Sequence, residues 1–179
     1  MHRLFVALRP PLAIRDHLLG LMGGVHGARW QSDDQMHITL RFIGEVDRRV
    51  GEDVATTLSA IVAPPTTIRL DGVGAFDKRG RVDALWAGLA PHDALVALHR
   101  KIDRACIAAG LPAEGRAYLP HITLARFARG AFANVDGFLA RNAGLASPPF
   151  TLDAFGLYES TLGGEGARYA CISRFALRG

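Results

Sequence analysis

The chain has 179 residues, 49% hydrophobic and 21% charged, which excludes a disordered or low-complexity protein and fits one domain able to bury its own core. A formal net charge of +4 favours an anionic, phosphate-bearing partner through long-range steering. The two cysteines, Cys106 and Cys171, lack CxxC spacing, which excludes a disulfide framework or a zinc knuckle; both read as small buried hydrophobes.

Residues 3–9, RLFVALR, are a short apolar run that reads as a buried strand, closed by Pro10 and Pro11. The run is too short for a signal-peptide core or a membrane span, so no membrane association is expected and the cytoplasm is the expected compartment. The prolines open a helical pattern through Leu12, Leu18, Leu19 and Met22 that Gly23 and Gly24 end. Ser32, Asp33 and Asp34 mark a turn before a strand, MHITLRFIGEV. Helical spacing then runs over 47–61 and stops at Pro64 and Pro65. TTIRLDGVGAF and VDALWAGL read as two strands joined by the turn residues 77–80.

A helix over 92–109, ended by Gly110 and Pro112, leads to a second strand, PHITLARF, at 120–127. A short helical segment at 135–141 follows, then strands FTLDAFGLYES and RYACISRFAL. The order strand, helix, HITL strand, helix, strand, strand thus occurs once and starts again. HITL itself recurs 84 residues on, at His37–Leu40 and His121–Leu124. This predicts an α+β fold: a bilobal, pseudo-two-fold duplication with two antiparallel sheets lining a central cleft and helices outside. Strand–turn–strand pairs with short Gly-rich links favour that over parallel βαβ units. Residues 1–179 would form one domain of two intertwined lobes, each carrying one HxTx strand.

Side chains alternate across a strand, so His37 and Thr39 share one face while Ile38 and Leu40 take the other. His121 and Thr123 stand likewise against Ile122 and Leu124. Imidazole moves a proton near neutral pH, and a threonine hydroxyl can hold an anionic oxygen without adding charge. Two such pairs across a cleft suit in-line displacement at phosphorus: one His takes the nucleophile's proton, the other protonates the leaving oxygen. A metal hydrolase is opposed by the scatter of His2, His17, His26, His92 and His99 and by the lack of HExxH. No GxSxG elbow supports a serine nucleophile. A non-catalytic RNA-end binding module remains the alternative of a different class.

The paired HITL motifs, the opening RLFVALRPP, the FIGEV after the first motif and the LPHITLARF around the second resemble the 2H phosphoesterase superfamily. Within it the chain is most similar to the RNA 2′,3′-cyclic phosphodiesterases, also called bacterial 2′-5′ RNA ligases. The resemblance implies metal-independent hydrolysis of an RNA 2′,3′-cyclic phosphate end to a 2′-phosphomonoester, with no cofactor, no metal and no obligate protein partner. It makes His37 the proton donor, His121 the proton acceptor, and Thr39, Thr123 and Arg126 the phosphate contacts. Pseudo-symmetry leaves the two histidine roles reversible on sequence alone, and small cyclic nucleotides are a second substrate class. Strict alternation puts Arg126 on the Ile122 face, so a bulge or strand end has to return it to the cleft. Arg41 has the same parity as His37 and reads either as a cleft residue or as a solvated charge. Phe42, Trp86, Tyr118 and Tyr158 are candidates for stacking on a base.

Overall fold

The computed structural model describes residues 1–164 and 166–179. Among the described residues, nine strands and four α-helices follow in the order β1 (His2–Leu8), α1 (Leu12–Leu19), β2 (Arg29–Trp30), β3 (Ile38–Val46), α2 (Arg48–Ser59), β4 (Thr66–Lys78), β5 (Arg81–Ala90), α3 (Asp93–Ala108), β6 (His121–Arg126), α4 (Asp136–Asn142), β7 (Phe150–Leu152), β8 (Ala154–Gly163) and β9 (Gly166–Ala176). The strands hydrogen-bond in the order β7-β4-β5-β6-β3-β1-β8-β9, with β2 added beside β6. Every pairing is antiparallel. The two expected antiparallel sheets are therefore halves of one curled sheet, joined where β3 meets β6 at Ile38 and Ile122.

The duplication extends to irregularities of backbone pairing. In β1–β3, Val6 pairs with Arg41 and Ala7 with Thr39, so Leu40 is skipped. In β5–β6, Leu85 pairs with Ala125 and Trp86 with Thr123, so Leu124 is skipped. Each HxTx strand thus carries the same bulge, one residue past its threonine. A bulge puts two successive side chains on one face and re-aims those that follow. Leu40 and Arg41 are both buried, as are Leu124 and Ala125.

Ile38, Leu40, Ile122 and Leu124, each at most 1% exposed, fix the two motif strands to the core shared with α2 and α3. Val54 and Leu58 of α2 and Leu95, Leu98, Ile102 and Cys106 of α3 supply the helical side. Asp47 caps α2, its Oδ1 accepting from the Val50 N–H at 2.9 Å.

Four local features differ from the sequence expectation. Helix α1 ends at Leu19 rather than at Gly23, because Leu21 and Met22 donate to Leu18 and Leu19 in tighter turns. Strand β2 is two residues long and carries no periodicity to read. The expected strand at 150–160 breaks at Asp153, whose carbonyl accepts from Leu177 N–H. Residues before the break pair with β4 and those after it with β1, so the chain crosses between halves there. Cys106 is buried as expected, but Cys171 is exposed because β9 is the sheet's edge.

Candidate active site

A cavity of about 790 Å³ opens over the β3–β6 junction. His37, Thr39, His121 and Arg126 line it, with Arg3, Phe5, Phe42, Phe76 and Tyr169 around them. The antiparallel register, Ile38 opposite Ile122, sets His37 across from Thr123 and Thr39 across from His121. Thr123 is half-buried and is not part of the cavity wall.

The two imidazoles are held alike. His37 Nδ1 lies 2.7 Å from the Gln35 carbonyl, and His121 Nδ1 lies 2.7 Å from the Leu119 carbonyl. A carbonyl only accepts, so each Nδ1 carries its hydrogen and each Nε2 is left to exchange a proton with a ligand. Gln35, whose carbonyl lies behind His37, is itself held by one local motif and one distant contact. Ser32 and Gln35 form a capping box, and Gln35 Nε2 donates to the Ala167 carbonyl at 2.8 Å.

Aromatic rings back both histidines. Phe5 lies 4.9 Å and Tyr169 5.2 Å from His37 between ring centroids, while Phe76 meets His121 edge-on at 4.9 Å and Trp86 stands at 6.2 Å. Tyr158 stacks on Phe5 at 5.4 Å. These layers need glycine beneath them: a Cβ at Gly74 would fall inside the Trp86 ring, and one at Gly156 would meet the Tyr158 ring. Of the four aromatic candidates, Phe42 and Tyr118 face the cavity. Trp86 and Tyr158 support the histidines from outside its wall.

The bulges decide the fate of the arginines. Leu124 and Ala125 both turn to the core, which returns Arg126 to the face of His121, exposed and in the cavity wall. The matching bulge sends Arg41 into the interior, only 6% exposed. There its guanidinium lies 3.1 Å from Asp103 and 3.1 Å from Glu114, and it also donates to the Pro112 carbonyl. Arg41 is thus neither a cleft residue nor a solvated charge. Its partner Glu114 belongs to residues 112–119, the segment that forms one wall of the cavity and carries the Leu119 carbonyl.

Burial pushes both histidines below their ordinary value. His37 falls to about 4, chiefly through desolvation, with Arg126, His121 and Arg9 adding repulsion against the opposing Gln35 hydrogen bond. Desolvation and Arg126 lower His121 as well. An anion between them would offset the same repulsion. Sequence reasoning missed Arg3, Phe5, Phe76 and Tyr169 in this site, since nothing local marks which aromatic of a strand meets a cleft. Among the described residues, no group of three His, Cys, Asp or Glu is placed to hold a metal ion. No helix among them is long and apolar enough to cross a membrane.

Known proteins resemble this chain in sequence and in fold. An RNA 2′,3′-cyclic phosphodiesterase from Geobacillus stearothermophilus is 30% identical over 84% of this chain and 48% of its own length. The chain therefore spans about half the length of that relative. The protein of the same name from Escherichia coli (strain K12) is 28% identical over 98% of this chain and 96% of its own length. Among solved structures, TT0787 of Thermus thermophilus matches with a TM-score of 0.83 at 25% identity over 99% of this chain and 98% of its own. Escherichia coli LigT complexed with 3′-AMP matches with a TM-score of 0.80 at 26% identity over 99% of both chains. The family model described as the 2′-5′ RNA ligase superfamily matches residues 13–164, a span that includes both HxTx strands. With that match over most of its length, the chain belongs to the 2′-5′ RNA ligase superfamily.

Proposed function

We propose that the protein hydrolyses RNA 2′,3′-cyclic phosphate ends to 2′-phosphomonoesters in the cytoplasm, using residues 1–179 as one domain of two lobes. The observation that carries this reading is the matched pair of imidazoles, each tethered through Nδ1 to a backbone carbonyl. His121 Nε2 takes a proton from water as the water oxygen attacks phosphorus. The P–O3′ bond breaks, and His37 gives its proton to the departing 3′ oxygen. Thr39 and Arg126 hold the non-bridging oxygens from the cavity wall, and Thr123 joins them from its half-buried place across from His37. Run in the same direction with a ribose 5′-hydroxyl in place of water, the same groups would join a 2′-5′ bond as P–O3′ breaks, and run backwards they would cleave it. No metal or cofactor takes part in this scheme.

Purified protein in EDTA is expected to convert an oligonucleotide ending in a 2′,3′-cyclic phosphate to the 2′-phosphomonoester alone, resolved from the 3′ isomer by chromatography. Formation of the 3′ isomer, or activity that returns only with added metal, would overturn the reading.

The reaction needs one proton shared by the two imidazoles. Because both are lowered, that one-proton form of the free protein disappears as pH rises through a value below 6.5. The alkaline limb of kcat/KM should therefore lie below pH 6.5. The alkaline limb of kcat should lie higher, because bound phosphate favours the charged imidazole. Profiles measured from pH 4 to 9 on a cyclic mononucleotide check this; a kcat/KM limb above pH 7 counts against it.

A further inference from the structure

The register of the outer strands lines up a second set of residues beside the cavity. Phe76 pairs with Ala84, Ala84 with Arg126 and Arg126 with Arg29, forming one row across β4, β5, β6 and β2. Cross-strand partners share a face, and Phe76 and Arg126 both line the cavity. One step outward, Lys78 lies opposite Arg81. Lys78 is two residues beyond Phe76 and so shares its face, while the bulge that skips Asp83 keeps Arg81 with it.

Beside this outer row the Arg81 guanidinium stands 5.2 Å from the centroid of the Phe132 ring, which is 78% exposed. Among the described residues, none of Arg29, Lys78, Arg81 and Arg126 is in an ion pair. The acids nearby are Asp83, in the bulge itself, and Asp77, whose carboxylate accepts from the Gly80 N–H. The opposite rim is different in kind. Ser160, Leu162 and Ala167 of the β8–β9 hairpin are uncharged there, Arg116 of the 112–119 segment is paired with Glu114 at 3.3 Å, and Arg3 lies over the Phe42 ring at 5.4 Å.

We infer that the Arg29–Arg126 row and the Lys78–Arg81–Phe132 surface beyond it are the track for the single-stranded RNA that precedes the reacting end. This rests on the proposed function. Two cationic rows roughly 7 Å apart fit successive backbone phosphates, and an exposed ring under a guanidinium offers a face to a base. The track would set the preference for a polynucleotide over a cyclic mononucleotide, which reaches only the cavity.

The test compares wild type with the K78A/R81A/F132A triple variant, which leaves the cavity wall intact. Two substrates are used: a 2′,3′-cyclic mononucleotide and a decamer with a 2′,3′-cyclic phosphate end. The variant should lose about tenfold in kcat/KM on the decamer and nothing on the mononucleotide. Its log–log salt slope on the decamer should shrink by about 1.4, the loss of two phosphate contacts on a single strand. Unchanged decamer kinetics, or an equal loss on both substrates, would overturn the track. Fluorescence anisotropy with a labelled decamer ending in a 3′-hydroxyl reads the track without turnover. Weaker binding by the variant supports the track even where neither protein hydrolyses the cyclic end; equal binding overturns it.

Discussion

Replacing either motif histidine with alanine is expected to lower kcat on a cyclic phosphate end by at least about 10²-fold, the ordinary worth of a general acid or base. Each imidazole presents one exchangeable nitrogen to the cavity, and the carbonyls of Gln35 and Leu119 hold the other. Neither position has a substitute: the residues flanking each histidine on its face are Thr39 and Thr123, which do not titrate near neutrality. The loss should fall on kcat more than on KM, because the proton transfers occur only in the transition state. The double variant should be little worse than the poorer single one, as acid and base act as a unit. Steady-state kinetics together with a thermal melt check both points. Near-wild-type turnover in either folded variant would remove the two-histidine mechanism.

The largest stability effect is expected at Arg41. Its guanidinium is 6% exposed and sits between Asp103 and Glu114, whose side chains are 19% and 17% exposed. Arg41→Met comes close to the volume but takes the cation from Asp103 and leaves Glu114 with only the exposed Arg116, at 3.3 Å. Removing one partner of a buried ion network costs about 3–5 kcal/mol. In a chain of 179 residues that is a drop of roughly 10 °C in Tm. The R41M/D103N/E114Q variant should recover part of it, since neutral amides no longer repel. Because Glu114 anchors the wall that carries the Leu119 carbonyl, R41M should also raise KM at temperatures where it stays folded. A Tm within 2 °C of wild type would show that solvent reaches these carboxylates freely.

What could be read from the chain is what strand alternation and repetition encode locally. His37 and Thr39 share a face because two residues make one pleat, and the same holds for His121 and Thr123 whatever lies beside them. The recurrence of HITL, with Ile38, Leu40, Ile122 and Leu124 on the buried side, marks two matching strands and a duplicated unit. Pro10, Pro11, Gly110 and Pro112 bound their elements through backbone geometry alone.

The rest depends on neighbours far away in sequence. Alternation puts Arg41 with His37 and Arg126 against His121; the structure reverses both. The cause is a bulge at Leu40 and at Leu124, which exists only in the pairing with Val6–Ala7 and Leu85–Trp86. The same bulge makes equivalents of Phe42 and Arg126, one presenting a ring and the other a charge to the cavity. Phe5, Phe76 and Tyr169 reach the histidines because β1, β4 and β9 curl around the junction, and β7 and β8 divide at Asp153 because each half of the sheet needs its own edge partner. Side-chain type and local parity are properties of the chain, while register and bulges belong to pairs of strands, so the sequence alone identified the motif residues and only the tertiary structure decided which arginine joined them.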